Sequence, residues 1–109
     1  MLTLPKLREQ SFLVYGLGLS GQSVVKYFKK NEFNNFKVWD DNQKNLFKKY
    51  QTLNLKKTLS KVDYIILTPG ISLLKNKKLN KFKKKIITDI DLLYLSENNF
   101  KSIVVTGTN

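Results

Sequence analysis

The chain has no cysteine and no histidine among its 109 residues. Disulfides, thiolate zinc sites, cysteine nucleophiles and histidine general bases are therefore excluded, and with them a hydrolase of the Ser-His-Asp type. Long apolar runs are also lacking: none approaches the roughly 20 residues that a membrane span needs. The first ten residues do not have the basic-then-apolar layout of a secretory signal, so a cytoplasmic location is expected, with no membrane partner. Acidic residues are few, 8 against 20 basic ones, for a formal net charge of +12. Arginine is nearly absent, Arg8 being the only one. Bidentate recognition of phosphate and guanine favours arginine, so this lysine excess is read as a solvated surface, and no nucleic-acid partner is expected.

What is present suffices for one folded domain. Hydrophobic residues make up 41% of the chain and aromatics 12%, enough for a single core at this length. Short apolar runs alternate with amphipathic stretches. Phe12-Leu13-Val14-Tyr15, Phe36-Lys37-Val38-Trp39, Tyr64-Ile65-Ile66-Leu67, Ile86-Ile87 and Ile103-Val104-Val105 read as strands. Helices are expected over residues 20–30, with Val24, Val25 and Phe28 inward; over 43–50; over 76–84, with Leu79 and Phe82 inward; and over 89–96, with Ile90, Leu93 and Tyr94 on one face. The stretch 52–61 is ambiguous, with a short strand expected near Leu53-Asn54-Leu55. Strands alternating with helices imply an α/β domain with a mainly parallel, doubly wound, Rossmann-like sheet.

Four motifs carry chemistry. Gly16-Leu17-Gly18-Leu19-Ser20-Gly21 is a GxGxxG between a strand and a helix. Gly16 permits the tight turn, Gly18 lets a phosphate approach the backbone, and Gly21 allows the helix to pack closely on the sheet. The free N–H groups at the start of the helix then receive an anion, and Ser20 is placed to cap that helix. Asp40 ends the next strand, 22 residues beyond Gly18, the spacing of an acidic residue that binds a ribose in dinucleotide folds. These two motifs alone do not separate a nicotinamide enzyme from another nucleotide binder. Thr68-Pro69-Gly70-Ile71 closes a strand at the edge where an open α/β sheet lines its ligand crevice. Finally, Val104-Val105 runs into Thr106-Gly107-Thr108-Asn109, the beginning of a phosphate loop without its lysine. This ending reads as a truncated chain.

Together these residues resemble the Mur ligases, and within them the branch that adds D-glutamate. The resemblance rests on GLGLSG at 16–21, Asp40, TPGI at 68–71, TDIDLL at 88–93 and VVTGTN at 104–109. It implies a UDP-binding N-terminal domain over residues 1–100, with 101–109 opening a central ATP-binding domain. The ligand implied is UDP-N-acetylmuramoyl-L-alanine. Gly18, Leu19 and Ser20 would lie against the nucleotide, Asp40 and Asp41 would border the uracil, and Thr68, Pro69 and Gly70 would flank the diphosphate. Thr106, Gly107, Thr108 and Asn109 would begin the ATP site. The whole enzyme would use ATP and Mg²⁺, whereas this chain would hold no catalytic residue, bind no ATP or metal, and act as a monomer. Family members often carry Thr-Arg after the strand-end aspartate, where this chain has Asp41-Asn42. The rival reading is a NAD-binding domain, which leaves TPGI and TGTN unaccounted for.

Overall fold

The computed structural model describes residues 4–68, 71 and 76–95. Four strands, β1 (Phe12–Tyr15), β2 (Phe36–Trp39), β3 (Tyr64–Leu67) and β4 (Ile86–Ile87), form one parallel sheet in the order β2-β1-β3-β4. Among the described residues five α-helices accompany them: α1 (Leu4–Glu9), α2 (Leu19–Lys30), α3 (Leu55–Lys61), α4 (Lys77–Asn80) and α5 (Asp89–Leu95). This is the α/β, Rossmann-like arrangement expected. β1 lies in the middle of the sheet, and all four of its residues are buried, because both faces are covered.

Alternation along the strands builds two cores. Phe12 and Val14 of β1, Phe36 and Val38 of β2 and Ile66 of β3 pack with Leu7 of α1, Val24, Val25 and Phe28 of α2 and Leu92 of α5. On the other face Leu13, Tyr15 and Ile65 meet Leu59 of α3 and Leu79 of α4. Aromatic rings fill much of the first core: Phe12, Phe28 and Phe33 lie within 4.8–5.8 Å of one another, and Tyr50 stacks on Phe36 at 4.5 Å. Burying each such ring contributes about 1.5–3 kcal/mol relative to leaving it in water. At the amino ends of β1 and β3 the Asp63 carboxylate accepts from the Ser11 N–H (2.8 Å) and hydroxyl (3.1 Å), while the Ser11 hydroxyl accepts from the Asp63 N–H.

Three expectations are corrected. Residues 43–50 contain no α-helix, only a 3₁₀ turn over Lys48–Tyr50. The Asp40 carboxylate takes the N–H groups of Asn42 and Gln43, and Phe47 adopts a left-handed conformation with φ of 51°. The Gln51 side chain then occupies the carbonyls of Gln43 and Leu46, which a helix would have used. Around 53–55 there is no strand but the start of α3. The Asn54 side chain accepts from the Lys57 N–H and caps it, leaving Leu53 fully exposed. At residues 76–84 the helix is shortened to α4 with a 3₁₀ turn at Lys83–Lys85 behind it. Leu79 is buried as expected and Phe82 half-buried.

Among the described side chains of α5, Leu92 faces the core, whereas Ile90 is 58% exposed. The side chains of Leu93 and Tyr94, and the expected strand at 103–105, lie outside those described. The short helix α1 had no counterpart in the sequence reading. It is held by Leu7, which is wholly buried, and by Arg8, whose Nε donates to the Asn31 carbonyl at 2.7 Å.

Candidate functional site

The connections of this sheet fix where a ligand can enter. From β1 the chain runs through α2 to β2 on one side. It then crosses over through α3 to β3 on the other side of β1. The crossovers part at the carboxyl ends of β1 and β3, leaving the crevice that open α/β sheets use for ligands.

The glycine motif forms the floor of this crevice. Gly16 has φ of +101°, and a side chain there would collide with the Thr68 hydroxyl. Its N–H donates to the Trp39 carbonyl at 2.7 Å, tying the loop to β2. A side chain at Gly21 would strike the Gly16 carbonyl oxygen, so this glycine sets how closely α2 rests on the loop. Gly18 differs: a Cβ there would meet nothing within 4 Å. It stands open at the amino end of α2.

That end of α2 is uncapped. Gly18 itself is the N-cap residue, no side chain closes the helix, and no acidic residue lies in its first turn. Its leading N–H groups and the positive end of its dipole therefore face the crevice. Ser20 does not cap the helix as expected. It lies inside α2, half-buried, beside a small cleft of about 120 Å³ shared with Ser23, Tyr27 and Asp89. Leu19 projects outward and is 86% exposed. The contrast with α5 is informative. There Thr88 and Asp91 form a reciprocal capping box, the Thr88 N–H donating to the Asp91 carboxylate and the Asp91 N–H to the Thr88 hydroxyl, with Asp89 also in the first turn. α5 thus carries a capping side chain and two carboxylates in its first turn, and α2 carries neither.

Asp40 is brought to the loop, where it works on the backbone. Its Oδ2 accepts from the Leu17 N–H at 2.6 Å, and Oδ1 from the N–H groups of Asn42 and Gln43 at 2.8 and 2.9 Å. Partial burial pushes its pKa upward. The Leu17 N–H, those of Asn42 and Gln43, and the nearby Lys44 charge together outweigh that, and the carboxyl is held below the ordinary aspartate value. The Leu17 carbonyl accepts in turn from the side-chain amides of Gln22 (3.0 Å) and Gln43 (2.9 Å). These two glutamines were not singled out from the sequence, since an amide on a loop gives no signal until its partner is known. Asp41 is exposed, accepts from the Trp39 indole N–H at 2.8 Å, and lies 3.9 Å from the Lys78 ammonium. The Lys44 ammonium stands 3.4 Å over the Trp39 ring.

Thr68 is buried at the end of β3, its hydroxyl directed at the carbonyls of Tyr15 (3.3 Å) and Gly16 (3.5 Å). Beside it, the ends of β3 and β4 border a cleft of about 390 Å³ reached by Leu67, Ile71, Ile87 and Thr88. Pro69, Gly70 and the residues Thr106, Gly107, Thr108 and Asn109 lie outside the described residues. Among the described residues there is no acidic cluster able to hold a metal ion, and no helix long and apolar enough to cross a membrane.

Comparison with known proteins adds the following. A family model described as Mur ligase MurD-like, N-terminal domain, matches residues 10–91. A UDP-N-acetylmuramoylalanine–D-glutamate ligase of Rickettsia prowazekii (strain Madrid E) is 35% identical over 111 residues, covering 94% of this chain and 24% of its own length. A protein of the same name from Francisella philomiragia is 49% identical over 55 residues, 47% of this chain and 13% of its own. One from Francisella tularensis subsp. tularensis (strain WY96-3418) is 44% identical over 55 residues, again 47% and 13%. The chain thus spans about a quarter or less of the length of these relatives.

Proposed function

Because the chain belongs to the Mur ligase MurD-like N-terminal domain family, we propose that it binds UDP-N-acetylmuramoyl-L-alanine on behalf of a ligase that adds D-glutamate in peptidoglycan precursor synthesis. The single observation that carries this reading is the open, uncapped amino end of α2 at Gly18, set in the crevice between β1 and β3. Such an end offers oriented N–H donors to a diphosphate without any cationic side chain. Gly18, Leu19 and Ser20 would meet the nucleotide. Asp40 has used three of about four acceptor positions on the backbone, so the remaining one on Oδ2 can accept from the uracil N–H. Asp41 would border the same base. Thr68 would act by shaping the loop, with Pro69 and Gly70 along the diphosphate.

In the whole protein the reaction would be cytoplasmic and would use ATP and Mg²⁺ to activate the substrate carboxylate as an acyl phosphate for attack by the D-glutamate amine. Residues 101–109 would open the ATP-binding domain, with Thr106, Gly107, Thr108 and Asn109 beginning its phosphate loop. By themselves the 109 residues would bind as a monomer without turnover. Calorimetry with UDP-N-acetylmuramoyl-L-alanine, UMP and NAD⁺ tests the proposal. Both uridine ligands should bind, the first more tightly; tighter binding of NAD⁺ would replace it with a dinucleotide-binding function.

A further inference from the structure

Eight of the lysines that look scattered along the sequence are brought together on two neighbouring elements. α3 contributes Lys56, Lys57 and Lys61, and α4 with the turn behind it contributes Lys77, Lys78, Lys81, Lys83 and Lys84, all exposed. Neither segment contains an acidic residue. Among the described residues, the one carboxylate within ion-pair distance of these lysines is Asp41, 3.9 Å from Lys78. Lys85 is used internally: its ammonium donates to the carbonyls of Leu59 (3.0 Å) and Ser60 (2.7 Å), pinning the turn to the carboxyl end of α3. The two lysine-bearing segments are therefore held side by side. Between them runs a cleft of about 470 Å³ with Leu55, Leu59 and Phe82 in its floor and Lys56, Lys78 and Lys81 at its rim.

We propose that the α3/α4 face docks on an anionic phospholipid surface, its lysines meeting the headgroups and its apolar cleft receiving acyl-chain carbon. Each exposed lysine near such a surface adds attraction, and clusters of four to eight suffice for recruitment without any bidentate geometry. That requirement matches a face rich in lysine and devoid of arginine. A nucleic acid fits it less well. Phe82 is the one aromatic residue of these two segments and is half-buried, so no exposed ring is available for base stacking. The cleft adds a second element, an apolar floor directly beside cations, which suits an amphiphile with an anionic head. The sequence reading foresaw no membrane partner because it looked for spanning helices and saw isolated lysine pairs. Neither consideration bears on a folded face. The surface adjoins the proposed base site only where Lys78 meets Asp41, and the variants below leave both residues unchanged, so the two proposals are tested separately.

Co-sedimentation of the 109-residue chain with vesicles tests this. Binding is expected to vesicles containing phosphatidylglycerol, not to pure phosphatidylcholine, and should vanish near half-molar salt, roughly where screening becomes complete. The triple variant Lys57→Glu, Lys81→Glu, Lys84→Glu should lower vesicle partitioning by about tenfold or more. A second triple variant of equal net charge on the opposite side, Lys26→Glu, Lys30→Glu, Lys48→Glu, should retain most of it. Equal loss in both variants, or binding indifferent to lipid charge, would overturn the proposal. So would displacement of the chain from vesicles by duplex DNA at matched phosphate concentration, which would make a nucleic acid the preferred partner. The lipid and salt comparisons on the unaltered chain decide the matter even if a variant fails to fold.

Discussion

The Leu17 N–H donates to Oδ2 of Asp40 across 2.6 Å, joining the middle of the glycine loop to a residue 23 positions later. One carboxylate thereby fixes both the loop that follows β1 and the loop that follows β2. Replacing it with Asn keeps the shape but removes the charge and puts an NH2, which cannot accept, at one of the two oxygens, so either the Leu17 bond or those from Asn42 and Gln43 are lost. Asp40→Asn should cost about 1–3 kcal/mol in urea unfolding at neutral pH, since hydrogen bonds to a charged group are the stronger kind.

The same group sets a pH dependence. Its folded-state pKa is depressed, so its contribution is complete above the ordinary carboxylate range and disappears as pH falls through the folded value, below about 4. The unaltered chain should lose stability there more steeply than Asp40→Asn. Parallel acid limbs in the two unfolding-against-pH curves would show that Asp40 makes no such contribution.

The three glycines of the motif separate fold from binding. Gly16→Ala and Gly21→Ala should each destabilise by about 2 kcal/mol or more, the first from positive φ and the Thr68 hydroxyl, the second from the Gly16 carbonyl. Gly18→Ala should cost less, about 0.5–1 kcal/mol, because nothing lies near its Cβ and only the poorer N-cap quality of alanine counts. It should nevertheless weaken calorimetric binding of the uridine ligand, on the order of tenfold, by placing a methyl where a phosphate must approach.

Trp39 is the single tryptophan of the chain and lies between Asp41 and Lys44 at the edge of the crevice. A base seated against Asp40 and Asp41 will disturb that arrangement. Titration with UMP should change its fluorescence in a saturable way, with the dissociation constant found by calorimetry. A flat titration in the presence of calorimetric heat would move the base away from Asp41.

At the start of α3, Asn54→Ala should cost about 1 kcal/mol through loss of the cap. Leu53→Ser should change stability by less than about 0.5 kcal/mol, as befits a residue wholly exposed. The reverse order would mean that Leu53 and Leu55 face one core as in a strand.

The parts legible in the sequence were those governed by local pattern. β1, β2, β3 and β4 were marked by unbroken or alternating apolar runs, and α2 by Val24, Val25 and Phe28 at helical spacing. The segments misread were those where side chains capture backbone groups. The Gln51 amide holding Gln43 and Leu46, and Asn54 capping α3 in a stretch that alternates like a strand, depend on partners that no periodicity reveals. At the candidate site the glycine loop was legible because its backbone demands glycine. Ser20 was misplaced by two residues because Gly18 takes the N-cap position.

Thr68 lies 53 residues from Tyr15 and 52 from Gly16, yet its hydroxyl reaches both carbonyls, and its oxygen abuts the space beside Gly16. The crevice wall is thus contributed by a stretch of chain synthesised long after the loop it supports. No early part of the polypeptide can carry a finished pocket, and ligand should bind only once β3 has joined β1. A uridine ligand would then favour the assembled state over every partly folded one, and its affinity would serve as a gauge of complete folding.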